Sequence, residues 1–228
     1  MTTLGDSLAG WLALAVTASL WLLSPPGRRA AATAVVALLL LYLVVLAVAT
    51  ALLEPALQPW SPAVAAAAVW LTIQPLRGLG RLSSIELGLT PPRPGSLGPA
   101  VAATLLALAL NAAVIALRGP GSIGVTVPLA FAVLIAAVME ELVMRGVLLA
   151  FADRACPPRW RLAGAPIGIG GLVVTAAFVL LHGLRPGLLL GVAPAAMLYL
   201  WLRARTGSLA PPIAAHVLWN SSVLALHA

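Results

Sequence analysis

Glu140 and Glu141 stand side by side in an apolar run, between Ala136-Ala137-Val138-Met139 and Leu142-Val143-Met144. An ionisable group at such depth costs about 2.5 kcal/mol or more on insertion scales, so it faces the protein interior and marks function. Arg145 follows Glu141 by four residues. With the acid on the N-terminal side this is the favourable order for an intrahelical pair, which taken alone reads equally well as a structural lock between helices. Glu140 points about 100° away around the helix. It has no basic neighbour at helical spacing and requires a partner from another segment. The chain holds three histidines. His182 follows Phe178, and His216 precedes Asn220, each by four residues, which places each pair on one helical face. His227, beside the C-terminus, is expected to be solvated.

Two carboxylates, two histidines and an asparagine meeting in a dry cavity would supply a general base, proton carriers and a donor for a developing oxyanion. That set suits hydrolysis of a peptide bond. Ser221 and Ser222 adjoin Asn220 without a nucleophile motif, Cys156 lies in a loop, and no His-Glu-x-x-His zinc helix is present. Two histidines and a glutamate still match the ligand count of a catalytic zinc with an open water position. If a metal is used, Glu141, His182 and His216 would be its ligands. Glutamate catalysis would require no cofactor, and the residues alone leave both routes open.

The elements that must position these groups follow from composition. Apolar residues make up 62% of the 228 positions and charged residues 8%, against about 25% charged in soluble domains. Hydrocarbon is the natural solvent for most of such a surface, so the bilayer is the expected partner. The net charge of +7 comes from arginine with no lysine. These arginines sit between apolar runs, where they fix orientation against an anionic leaflet, and no nucleic-acid partner is expected. A single cysteine excludes a disulfide framework and a cysteine-rich metal site. Asp6 and the absence of a preceding basic residue or a following small-residue cleavage site make the first apolar run a span rather than a cleaved signal peptide.

The expected fold class is all-α, a polytopic transmembrane bundle of about eight spans: Leu8–Leu23, Ala30–Leu53, Pro62–Leu76, Gly98–Leu117, Val125–Phe151, Gly164–Gly183, Pro186–Trp201 and Leu209–His227. The third is the weakest, framed by Pro55, Pro59, Pro62 and Pro75 and shorter than the roughly 20 residues of a full crossing. Arg28, Arg29, Arg77, Arg81, Arg93, Arg154, Arg159, Arg161, Arg203 and Arg205 fall in alternate loops on one side, with Arg118 and Arg185 on the other. By the positive-inside rule the first side is cytoplasmic and both termini lie outside the cytoplasm. Residues 1–124 would then hold the N-terminal helices with a polar stretch, Gly78 to Pro99, along the membrane surface, and residues 125–228 the catalytic core. A count of helical rise places His182 nearer the outer face than Glu140. The sixth helix is therefore expected to start late within Gly164 to Gly171, or to break after Gly183.

Glu140-Glu141-x-x-x-Arg145, Phe178-x-x-x-His182 and His216-x-x-x-Asn220, in that order on successive late spans, resemble the CPBP family of intramembrane proteases. That family includes the type II CAAX prenyl proteases and bacteriocin-related immunity proteins. The run Arg205-Thr206-Gly207-Ser208-Leu209 resembles the family's approach to its last motif, and the likeness covers roughly Val125 to Asn220. The resemblance implies that Glu140 and His182 activate the attacking water, that His216 and Asn220 stabilise the oxyanion, and that Glu141 and Arg145 support the site. It leaves the choice between glutamate and metalloprotease chemistry open, because the family has been described as both.

Two other functions would call on the same polar residues. A proton-coupled transporter or channel would also place glutamates and histidines in the membrane, but the polar groups crowd into the last four spans without a counterpart in the first four. A catalytically silent immunity or binding protein would not require intact motifs. Family analogy allows as substrate a prenylated tail, a bacteriocin-type peptide or the C-terminal membrane anchor of a sorted surface protein. The Ala, Arg and Pro bias points to a GC-rich bacterial genome and an inner-membrane location, where prenylated substrates are not expected.

Overall fold

The computed structural model describes residues 4–118 and 125–227. The expected division at 124/125 and the settings of the Arg118 and His227 side chains lie outside the described residues. Helices α1 (Leu4–Leu23), α2 (Arg29–Leu52), α3 (Ser61–Thr72), α4 (Gln74–Gly78), α5 (Ser84–Leu87) and α6 (Leu97–Arg118) form the first half. Helix α7 (Val127–Glu141) runs through a π-helical segment (Leu142–Leu148) into α8 (Leu149–Ala155). A hairpin of β1 (Trp160–Leu162) and β2 (Ala165–Ile167) precedes α9 (Ile169–Leu181), α10 (Pro186–Thr206) and α11 (Ala210–His227).

Each expected apolar segment contains a helix, but their lengths differ from the expectation. Among the described residues, Pro26–Leu52, Leu97–Ala116 and Val127–Ala155 are long and apolar enough to cross a membrane, and Leu8–Leu23 and Ile169–Leu181 are apolar but shorter. These helices mark an integral membrane protein whose fold is predominantly α-helical. Helix α3 has 12 residues, about 18 Å at the α-helical rise, well short of the roughly 30 Å hydrocarbon thickness. It ends at Thr72 because Gln74-Pro75 restarts the chain as α4, Pro75 having no N–H to continue the ladder.

Helix α9 starts late, as the depth argument required. The hairpin occupies the stretch before it, pairing Trp160 with Ile167 and Leu162 with Ala165 across Ala163 and Gly164, both at positive φ. That is the conformation a two-residue hairpin turn demands. The helix ends with His182 at its C-cap, followed by Gly183 at φ +100°, which few residues other than glycine tolerate.

The main core gathers side chains of α1, α2, α3, the π segment, α8 and α9, among them Leu20, Leu39, Val69, Met144, Leu148 and Phe178. Ala152 and Gly170 meet across α8 and α9, where a Cβ on Gly170 would lie 2.5 Å from the Ala152 carbonyl oxygen. A smaller cluster joins α10 and α11 through Ala195, Tyr199, Leu202 and Ala215, with Ala100 of α6 against it.

The polar stretch after α4 packs onto the ends of the late helices. Ser83 and Glu86 form a capping box at α5, and Leu87 is fully buried. Arg154 donates to the Glu86 carboxylate and, at 2.7 Å, to the Arg81 carbonyl. Arg203 donates to the Glu86 carbonyl at 2.7 Å, the Arg93 N–H to the Thr206 carbonyl at 2.8 Å, and the Leu209 N–H to the Gly88 carbonyl at 2.8 Å. Arg205 donates to Gly164 O in the hairpin turn, and Arg28 and Arg159 border one cleft. Arginines from separate loops therefore converge at one end of the bundle.

Burial alone would raise the Glu86 carboxyl, but the Ser83 N–H and hydroxyl and the Arg154 guanidinium outweigh it, and its pKa falls below the ordinary glutamate value. A depressed carboxyl stabilises the fold above its unfolded-state pKa, and that contribution is lost as pH falls through the folded value. Amide protection factors across 83–89 in detergent micelles, taken relative to intrinsic exchange at each pH, should therefore fall once pH drops below the ordinary glutamate range, and Glu86→Gln should remove that dependence. The pair is partly exposed, so the gain is at most about 1 kcal/mol. Gly170→Ala must push α8 and α9 apart and should lower unfolding stability by about 1–3 kcal/mol, measured as a shift in denaturant midpoint.

Candidate active site

Helix α7 begins at Thr126, whose hydroxyl accepts the Leu129 N–H at 3.3 Å, and carries Glu140 and Glu141 in its last turn. The chain then widens into the π segment, a form that appears often at functional sites. Gly146 lies within it, where a Cβ would stand 3.2 Å from the Leu209 side chain and 3.4 Å from the Leu87 carbonyl. The absent side chain lets α5 and the start of α11 close against the segment.

Glu141 is fully buried and Arg145 is 1% exposed. One Glu141 oxygen, Oε1, accepts from Arg145 Nη1 at 3.2 Å and from His216 Nδ1 at 3.0 Å. Arg145 Nη2 donates to the Ala196 carbonyl of α10 at 3.0 Å, and the Arg145 carbonyl accepts from Arg203 Nε at 3.2 Å. The guanidinium lies 4.3 Å over the Phe178 ring and 5.6 Å over that of Tyr199, so cation–π contacts replace part of its lost hydration. Glu141 and Arg145 therefore join α7, α9, α10 and α11, as a buried charge must if it is to be matched on every side.

His216 is held on several sides. Tyr199 stacks on its ring with centroids 4.7 Å apart and planes at 21°, while Phe178 meets it edge-on at 6.0 Å. With Nδ1–H donating to Glu141, Nε2 is the ring nitrogen left without a protein partner. His182 packs on the same Phe178 ring at 4.5 Å, and its Nδ1 donates to the Phe178 carbonyl at 2.8 Å, again leaving Nε2. It borders a cleft of about 510 Å3 lined mainly by apolar residues of α1 and α2, including Leu14, Leu43 and Leu46.

Of the residues singled out by motif, Glu141, Arg145, His216, Phe178 and His182 are in one contact network. Glu140 and Asn220 make no side-chain hydrogen bond among the described residues. Glu140 is half-buried. Three further polar atoms, Glu141 Oε2, Arg145 Nε and Tyr199 Oη, are buried without a protein partner. They are available to a water molecule or a substrate.

Tyr199 adjoins this site, and motif reasoning did not find it. A signal existed: Tyr199 lies well inside α10, whereas membrane tyrosines usually sit at the interface.

Glu141, His182 and His216 do not form a joint metal-ligand group. Among the described residues no three His, Cys, Asp or Glu side chains are gathered in that way. Glu141 Oε1 is engaged by Arg145 and His216, and the Phe178 ring packs on both imidazoles.

A helical membrane protein with a buried Glu, Arg and His network beside a second acid is the class that fold and site define. Residues 120–222 match the family model described as type II CAAX prenyl endopeptidase Rce1-like, in agreement with the resemblance carried by the motifs. The match indicates a protease, a hydrolase acting on a protein or peptide in a membrane setting. No curated protein and no solved structure matches.

Removing the guanidinium would strand the Glu141 charge. Arg145→Met should cost about 3–5 kcal/mol of stability, read from unfolding in detergent micelles, whereas Glu141→Gln combined with Arg145→Met should recover most of it. An equal loss in the single and double variants would contradict the pairing.

Proposed function

We propose that the protein is an intramembrane endopeptidase that hydrolyses a peptide bond in a membrane-associated protein by glutamate-activated water. The observation that carries this reading is the buried Glu141–His216 contact, with Glu140 beside it. Glu140, assisted by His182, takes a proton from water as its oxygen attacks the scissile carbonyl carbon, and returns it to the leaving amine nitrogen. His216, carrying a proton on each ring nitrogen, donates Nε2–H to the developing oxyanion, and the Asn220 amide donates beside it. Glu141 fixes the His216 ring through Nδ1, and Arg145 fixes Glu141. No step runs through a metal, because the candidate ligands do not fit one as a set.

The apolar cleft at His182 supports entry of an apolar stretch of substrate from the side of α1 and α2. The substrate class is a C-terminal tail or membrane anchor rather than a soluble protein. The catalytic core lies within 125–228, in a bundle of about eight crossings. Convergence of the loop arginines at one end supports a bacterial inner-membrane orientation with both termini outside the cytoplasm.

Glu140→Ala and His182→Ala should each lower cleavage by about 100-fold or more while the unfolding midpoint stays near that of the wild type, and His216→Ala should lose as much at equal amounts of folded enzyme with a lowered midpoint, because Glu141 loses a partner. Comparative membrane proteomics of wild-type and Glu140→Ala cells would reveal the substrate as a protein that accumulates uncleaved. An unchanged membrane proteome would sink the proteolytic reading in favour of a silent binding protein.

A further inference from the structure

We propose that Tyr199 is a positioning residue for His216, its ring fixing the plane of the imidazole so that Nε2 is aimed at the reacting carbonyl. This rests on the reading of His216 as an oxyanion donor. Rotation of an imidazole about Cβ–Cγ has no sharp intrinsic wells, so something outside the side chain must set the ring plane. The Glu141 hydrogen bond at 3.0 Å anchors Nδ1 but tolerates tilting of the ring about the bond. The Tyr199 stack, 4.7 Å and 21° from parallel, removes that remaining freedom from one face, and the Phe178 edge at 6.0 Å limits it further.

Tyr199 is itself rigidly held. It is 1% exposed and packs with Leu202, Ala195 and Ala215, and the Arg145 guanidinium lies 5.6 Å from its ring. A single helix, α10, thus supplies the Tyr199 ring and the Ala196 carbonyl that receives Arg145. Both ends of the Glu141 bridge, the arginine and the histidine, are therefore referenced to α10. Tyr199 touches neither Glu140 nor His182 among the described contacts. Of the two proposed oxyanion donors it contacts His216, and Tyr199→Phe separates the part of the ring from that of the hydroxyl.

The test compares Tyr199→Phe, which keeps the stacked ring, with Tyr199→Leu, which keeps bulk without a flat face. The first readout is independent of activity. In the full-length protein labelled with 15N-histidine in detergent micelles, the His216 signals are assigned by their loss in His216→Gln. Wild type and Tyr199→Phe should show one set of His216 ring signals with both nitrogens protonated, and Tyr199→Leu several ring environments. The second readout is cleavage of the protein that accumulates in Glu140→Ala cells. At equal amounts of folded enzyme, Tyr199→Leu should lose about 100-fold in kcat with KM unchanged, and Tyr199→Phe should restore the rate.

Two results would overturn the inference: a single unchanged set of His216 ring signals in Tyr199→Leu, or altered ring signals with undiminished kcat. If His216→Ala itself cleaves normally, the catalytic reading has failed instead. The ring signals then still decide whether Tyr199 holds the ring.

Discussion

A carboxylate at 0% exposure inside an apolar bundle, Glu141, is the constraint around which the late helices are arranged. An isolated buried charge costs several kcal/mol even after relaxation, so the fold must bring it compensation. It does so from different directions: Arg145 from one turn further along the chain and His216 from α11, both on the same carboxylate oxygen. Arg145 then needs its own partners and finds the Ala196 carbonyl and the faces of Phe178 and Tyr199. One charge thereby dictates where α9, α10 and α11 stand relative to α7. The arrangement that satisfies the charge also orients an imidazole, so stability and function draw on the same contacts.

The π segment after Glu141 explains how so many groups are buried at once. Residues Val143 to Phe151 are all buried, which a regular helix with one exposed stripe would not allow. Wider winding and the missing side chain of Gly146 let neighbours close on every side. Arg203 reaches this segment from α10, bonding the Arg145 carbonyl as well as the carbonyls of Ile85 and Glu86. The polar stretch around α5 is thus tied to the backbone of the residue that neutralises Glu141, which couples a polar end of the molecule to its buried centre. Helix α6 stands apart from this architecture. It is largely exposed, and Asn111 links it to Ser222 of α11 at 3.1 Å.

Much of the site was legible in the residues because the solvent made it so. In a chain that is 62% apolar, every ionisable group inside a helix is an exception with an energetic reason. Glu140, Glu141, Arg145, His182 and His216 stood out on that ground. The late start of α9 and its stop at Gly183 were also readable, because depth and glycine chemistry left few alternatives. The brevity of α3, 12 residues against an expected span of Pro62–Leu76, was signalled by Pro75. Tyr199 was passed over because spacing rules compare residues along one helix, whereas it meets His216 from another.

By itself, the sequence determined the solvent, the helical segments and the polar groups that could not be left in hydrocarbon, since each follows from local composition and the cost of burying charge. Which acid met which histidine was decided only by tertiary structure. Spacing made Glu141 the partner of Arg145 and left His216 free to serve either glutamate. The packing of α11 against α7 and α10 gave it to Glu141, because a hydrogen bond of 3.0 Å between residues 75 apart in sequence is set by helix positions that no local pattern encodes.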